Sequence, residues 1–337
     1  MDVGITIAPI PGRTAALARM AEELGFASVR VPDSQNLAPE VWGQLMLAAH
    51  ATTKIEIGSG VTNSITRDVA VTASAALALQ VESQGRAVCG IGRGDSAVQR
   101  IGKHEDRVAS FERYLEMLQR YLGGESVDRD GFSSRLEWLR AAKVAKVPLE
   151  VTATGPRVIA AGARQADRIA LAVGADPDHV RWGLDTARAA AQAVGRDPAS
   201  LRYGAYVNCV VHPDRAVARD AMRGTAATFA RFSAFAGSNL TRLPGPLQRA
   251  ASFLRTHYDM REHTMATAQH ARALEDEFID WFGIAGPPEV VVPRLQALAR
   301  VGVDFVHAVP GSGGVARDVA LTSIQLLAQE VLPVLRT

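Results

Sequence analysis

Short apolar runs recur along the chain, each followed by a polar or glycine-bearing loop and then by an amphipathic segment. The stretches AEELGFASVRVPDS, LQVESQGRAVCGIGRGD, AAGARQADRIALAVG and ALARVGVDFVHAVPG share one order: helix end, tight turn, continuous apolar strand, loop. Helical periodicity is plain in three places. Leu17, Met20, Ala21 and Leu24 fall at i, i+3, i+4 and i+7, with Gly25 as a left-handed stop. Phe111, Leu115, Leu118 and Leu122 form a second stripe ahead of Gly123-Gly124, and Val291, Leu295 and Leu298 a third, entered through Pro287-Pro288.

Eight strands are predicted: Val3–Ala8, Ser28–Pro32, Ile55–Val61, Ala87–Ile91, Leu149–Ala153, Ile169–Val173, Tyr203–Val211 and Phe305–Val309. Most read as solid apolar runs, the pattern of parallel strands covered on the outside by helices. Eight β/α units point to an α/β fold of the closed (β/α)8 TIM-barrel type, with a doubly wound open sheet as the alternative. Such barrels commonly occupy about 250 residues as one domain, so residues 1–337 are read as a single domain with insertions at about 96–147 and 213–286. The second insertion holds Thr225–Phe235, a break at Leu243-Pro244-Gly245-Pro246, and a charged helical stretch from Leu247 to Phe282. Insertions that follow strands sit over the C-terminal face, where barrel enzymes keep their active sites; this one is read as either a lid or a packing or dimerisation element.

Composition narrows the function classes. Hydrophobic residues make up 47% of the 337 and charged residues 21%, the balance of a folded globule. The 37 basic and 35 acidic residues are scattered and leave a net charge of +2, so no stripe for nucleic acid and no membrane patch stands out. The uncharged run Val69–Val81 is too short and too polar to span a bilayer, and the start Met1-Asp2-Val3-Gly4 has no basic segment of a signal peptide. Cys89 and Cys209 are isolated within strands, which favours neither zinc nor a disulfide scaffold and fits the reducing cytoplasm. No metal is expected.

In a barrel, chemistry is sought at the C-terminal ends of strands. Strand two ends in Val31-Pro32-Asp33-Ser34; Asp33 would either accept a hydrogen bond from a ring N–H or cap the next helix. Strand three ends in Gly58-Ser59-Gly60-Val61-Thr62-Asn63, the signature of a bulge close to a ligand or of a plain turn. Strand four ends in Gly90-Ile91-Gly92-Arg93-Gly94-Asp95. It is not the dinucleotide fingerprint, because Asp95 stands where the third glycine is needed, yet it leaves bare backbone for a flat ring. Strand five ends in Thr154-Gly155-Pro156-Arg157 at a helix start, which reads as a phosphate site or an ordinary helix start, and Val173-Gly174 ends the neighbouring strand. No G-x-S-x-G, H-E-x-x-H or paired-cysteine motif is present. His257, His263 and His270 read as lone surface histidines, and His307 in strand eight points either into or out of the barrel.

Taken together, AEELGFASVRVPDS, IGSGVTNSITRDVAVTASAALAL, GRAVCGIGRGD and TATGPRVIAAGARQADRIAL, in this order, resemble the bacterial-luciferase-like superfamily of flavin- and deazaflavin-dependent oxidoreductases. Within it the chain is most similar to the methylenetetrahydromethanopterin reductase group, from Val3 to Pro310. The resemblance implies a cofactor in the barrel mouth, its phosphate at Thr154, Gly155 and Pro156 and near Val173 and Gly174, its ring against the strand-three bulge at Gly60, Val61 and Thr62 and near Gly92, Arg93 and Gly94. A cis peptide at Gly60–Val61 is implied too. The implied chemistry is hydride transfer at ring carbon C5 of coenzyme F420, with Asp33 and Asp95 as the carboxylates that contact ring or substrate. Ser34 stands where the alcohol and sugar-phosphate dehydrogenases carry a histidine, and Thr6 where the methanopterin reductases carry a glutamate.

Three functions are therefore weighed. The first is an F420-dependent oxidoreductase acting on a C=C, C=N or C=O bond of a small molecule, cytoplasmic and homo-oligomeric. The second is an FMN-dependent monooxygenase on the same barrel. The third is a non-catalytic, cofactor-binding barrel.

Overall fold

The computed structural model describes residues 1–140, 142–234 and 240–336. Eight parallel strands form the centre: β1 (Asp2–Thr6), β2 (Ser28–Val31), β3 (Glu56–Ser59), β4 (Ala87–Gly92), β5 (Leu149–Ala153), β6 (Arg168–Leu171), β7 (Arg202–Val211) and β8 (Phe305–Val309). Each pairs with the next in parallel register, and β1 pairs with β8, as in Val3 with Val306, so the sheet closes on itself. The fold is thus the (β/α)8 TIM barrel, and the open doubly wound sheet is excluded. All three stripes fall at helices, the first burying Ala21 fully but Leu17, Met20 and Leu24 only in part. Phe111, Leu115, Leu118 and Leu122 are buried on the helix Val108–Leu122, and Val291, Leu295 and Leu298 on Pro288–Arg300. Gly25 has φ +82°, the left-handed stop of the first helix, Thr14–Glu23.

The strands are not uniformly apolar. Alternate residues face opposite sides of a strand. Val29, Val31, Ile57, Ile91, Val151 and Ile169 join the helices in the main core. The other set meets inside the barrel and includes Arg30, Glu150, Tyr206 and His307, all buried. Glycines make the space. A Cβ at Gly204 would lie 2.1 Å from the Phe305 ring, and one at Gly60 would lie 2.7 Å from Arg30 Cβ.

The insertion after β4 carries the short helix Ser96–Gln99, the helix Val108–Leu122 and the hairpin Val127–Arg129/Phe132–Ser134. The one after β7 builds a second core around Met222, Ala226, Leu247, Leu254, Phe278 and Phe282. Its charged stretch Leu247–Phe282 is not one long helix. It breaks into Gly245–His257, Gln269–Arg272 and Asp276–Phe282, because Tyr258 leaves the first helix in extended backbone (ψ 118°) and Asp259 caps a separate short turn. The expected stretch Thr225–Phe235 lies on the helix Arg215–Phe232, with its last residue, Phe235, outside the described residues. The terminal helical run Arg317–Arg336 is apolar enough to cross a membrane by length and composition alone. Here it covers the barrel: Leu327, Val331 and Leu332 are buried in the main core, and Ser323 Oγ accepts from Val211 N at 3.0 Å.

Candidate active site

The C-terminal mouth is built around an irregularity in β3. Gly58 pairs with Val88, but Thr62 pairs with Ile91, so one extra residue stands on the β3 side of the ladder. That is a β-bulge, a device that re-aims a strand end beside a site. The Gly60–Val61 peptide within it is cis. Val61 packs against the buried cluster of Ala170, Ala172, Tyr206, Phe305 and Val309, which places the bulge on the rim of the barrel interior.

Asp33 leaves β2 and is buried at this bulge. Thr62 Oγ1 donates to Asp33 Oδ2 at 2.7 Å, and Arg67 forms an ion pair with the same carboxylate while also reaching Glu40 at 2.8 Å. Asp33 therefore does not cap the next helix, whose N-cap is Glu40. Arg67 has no motif of its own in the sequence. Beside it Asn63 Oδ1 accepts from Ile65 N and Thr66 N, leaving Asn63 Nδ2 buried without a partner. Ser34 Oγ shares a hydrogen bond with Ser96 Oγ at 2.8 Å.

At the end of β4, Gly94 takes φ +95°, where a Cβ would come within 2.4 Å of Val98. Asp95 follows and is held by the Arg231 guanidinium, from the helix after β7; Arg231 also donates to Gln99 Oε1 at 2.7 Å. Burial pushes the Asp95 carboxyl above the usual range, against the pull of Arg231. Arg93 Nη1 donates to the Asp106 carbonyl at 2.5 Å. Burial first, and then the like charge of Arg157, lower the Arg93 guanidinium against Glu105 and Asp106.

Arg157 lies in the first turn of the helix Pro156–Gln165, whose N-cap Gly155 has no side chain to cap the amides. A Cβ on Gly155 would meet nothing within 4 Å. A helix start with no side-chain cap, its positive end and two guanidinium groups together favour an anion. Thr154 is half-buried at the same place. Val173 is buried in the main core, and Gly174, at φ +91°, is pressed on Phe282 with no room for a Cβ.

Below the mouth runs a buried ionic chain that the sequence did not announce. Arg30 Nη2 donates to Glu150 Oε2 at 3.2 Å and to Glu56 Oε1 at 2.8 Å; Arg168 grips Glu56 through two 2.8 Å bonds. His307 is on the inside, its Nε2 2.9 Å from Glu150 Oε1 and its ring 4.8 Å from that of Tyr206. Burial would raise the Glu150 carboxyl, but Arg30 and His307 outweigh it and hold it well below the usual range; burial lowers His307. On β7 the Asn208 amide is fully buried with neither end bonded.

The insertion histidines correct the sequence reading. His257 is exposed as expected, but His270 is 2% exposed with its ring 4.2 Å from that of Tyr258, and His263 Nδ1 shares a 2.7 Å hydrogen bond with the Tyr258 hydroxyl. Their environment comes from the helix Arg215–Phe232, which no local pattern links to them.

The 5,10-methylenetetrahydromethanopterin reductase of Archaeoglobus fulgidus is 29% identical over 325 residues, covering 94% of each chain. Among solved structures, the coenzyme F420-dependent tetrahydromethanopterin reductase of Methanopyrus kandleri superposes with a TM-score of 0.75 at 24% identity, covering 98% of both chains. An F420-dependent secondary alcohol dehydrogenase in complex with an F420-acetone adduct gives 0.77 at 18% identity, covering 100% and 99%. The family matched over residues 5–304 is that of the luciferase-like monooxygenases. A closed barrel with a bulged third strand and a match over most of its length place this chain in the luciferase-like monooxygenase family.

Proposed function

We propose that this protein is an oxidoreductase that uses coenzyme F420 to move a hydride to or from a C=C, C=N or C=O bond of a small organic substrate. The observation that carries this reading is the pairing, at one barrel mouth, of the bulge at Gly60–Thr62 with the uncapped helix start at Gly155. A flat ring and a phosphate on one molecule match that pairing, and the unbonded Asn63 Nδ2 supplies a donor for a ring carbonyl. The relatives named for F420 favour the deazaflavin.

When bound, the deazaflavin supplies or accepts the hydride at C5. Gly60, Val61 and Thr62 form the wall behind the ring, with Gly92 and Gly94 leaving its edge clear. Asp33, fixed by Arg67 and Thr62, presents a positioned carboxylate there. Thr154, Gly155 and Pro156, with Arg93, hold the phosphate, and Val173 and Gly174 close its far side. Asp95, raised by burial and steadied by Arg231, holds or releases the proton that balances the hydride.

The chain is further read as a cytoplasmic homodimer or higher homo-oligomer in one domain. Both cysteines are free thiols, and Leu47, Val71 and Val81 are exposed on the adjacent helices Val41–Ala51 and Val69–Glu82, a face suited to a second copy. Light scattering of the purified protein reads the mass.

An FMN-dependent monooxygenase is the second reading, favoured by the family description itself. Quenching of deazaflavin fluorescence without FMN binding supports the first reading. FMN binding with oxygen consumption supports the second. Binding of neither leaves a barrel without this chemistry.

A further inference from the structure

The insertion after β7 and the loop after β4 enclose a polar cluster beside Asp95. Arg100 caps the short helix Ser96–Gln99, and one of its Nη atoms donates to the Met260 carbonyl across the cluster. Its Nε is buried and bonded to nothing. Among the described residues no carboxylate pairs with Arg100. Arg231 is matched by Asp95, and its guanidinium lies 4.6 Å over the Tyr258 ring.

The remaining charges do not cancel Arg100. Asp259 is paired with Arg261, and Glu262 is exposed and acts on His270. His263 is pushed down to about 3 by burial, then by Arg231 and Arg100, and His270 is lowered chiefly by burial, so both imidazoles are neutral near pH 7. Of the two guanidinium groups in the cluster, only Arg231 is paired with a carboxylate among the described residues. The guanidinium groups that, after burial, disfavour a proton on His263 also favour an anion, and in a partly desolvated site they do so more strongly than in water. A guanidinium with a free N–H suits a planar carboxylate.

We propose that Arg100 is a specificity-determining residue that recognises a carboxylate on the substrate, so that the substrate class is an organic acid or its singly charged equivalent. This rests on the F420-oxidoreductase reading for what happens to the substrate, but not for the anion site itself. The same group could belong to the carboxylate tail of the cofactor, and the experiment separates the two sources.

Thermal stabilisation of the F420-loaded protein is measured with acetate, benzoate and octanoate, each against its amide, alongside F420 affinity by fluorescence quenching. At least one acid is expected to bind tenfold or more tightly than its amide. Arg100→Gln is expected to abolish that preference, Arg100→Lys to keep part of it, and F420 affinity to stay within twofold in both. A role confined to holding the Met260 turn would weaken acid and amide alike and overturn the proposal. So would a preference that survives Arg100→Gln, or no acid preferred over its amide. A tenfold loss of F420 affinity in Arg100→Gln with the acid preference intact assigns the anion to the cofactor tail and also overturns it. If the wild-type protein fails to take up F420 yet prefers acids through Arg100, the F420 reading fails and the anion site stands.

Discussion

Arg30 and Glu150, 120 residues apart in sequence, meet inside the barrel with Nη2 and Oε2 3.2 Å apart and both side chains fully buried. Removing one member of such a pair leaves a charge that the interior cannot solvate. Arg30→Leu is expected to lower unfolding free energy by about 3–5 kcal/mol. Equilibrium denaturation in urea checks this; a loss under about 1 kcal/mol would show that the pair is not structural.

The buried ionisable groups also set an acid limit. His179, His263, His270 and His307 are all lowered, chiefly by burial, so the unfolded chain binds more protons than the folded one below pH 6.5. Stability is therefore expected to be level above pH 6.5 and to fall as pH drops below it. Glu150 is held below its ordinary 4.5, so its contribution is present above pH 4.5 and lost beneath it, which steepens the fall. Urea midpoints from pH 8 to 4 read both segments. A midpoint that rises on acidification contradicts this account.

Gly60→Ala places a Cβ 2.7 Å from Arg30 Cβ and 3.1 Å from the Tyr206 hydroxyl. Neither Arg30 nor the adjoining backbone has room to give. Overpacking of this kind costs about 1–3 kcal/mol. The bulge behind the proposed ring is expected to shift, so deazaflavin quenching should weaken along with the urea midpoint. Unchanged values for both would remove the bulge from the site.

Gly155 gives a cleaner test, because a Cβ there meets nothing and its φ of −100° suits any residue. Gly155→Ala is expected to change stability by less than about 0.5 kcal/mol. Gly155→Asp should fold equally well but lose cofactor affinity at least tenfold, about 1.4 kcal/mol, through repulsion of the phosphate. Isothermal titration of both variants decides it, and equal affinities would move the phosphate elsewhere.

Local signals carried the fold and its rim, and contacts across the barrel stayed hidden. The bulge was legible because Gly58, Ser59 and Gly60 interrupt an apolar strand, and the helix start at Gly155 because glycine and proline mark it. Arg30 and Glu150 sit inside runs that look apolar, and only closure of the barrel turns both inward. Arg231 is one arginine among many on an alanine-rich helix, and its role follows from where that helix meets Asp95 and Gln99 after β4. His263 and His270 looked superficial because no local periodicity shows the second core closing around them.

One titration tests the identity of the cofactor. Purified protein is titrated against coenzyme F420 and, in parallel, against FMN, with cofactor fluorescence as readout. Saturable one-to-one quenching of F420, with FMN bound at least tenfold more weakly, is the result expected here. FMN bound as tightly as F420 or more so, or no binding of F420, would contradict the account.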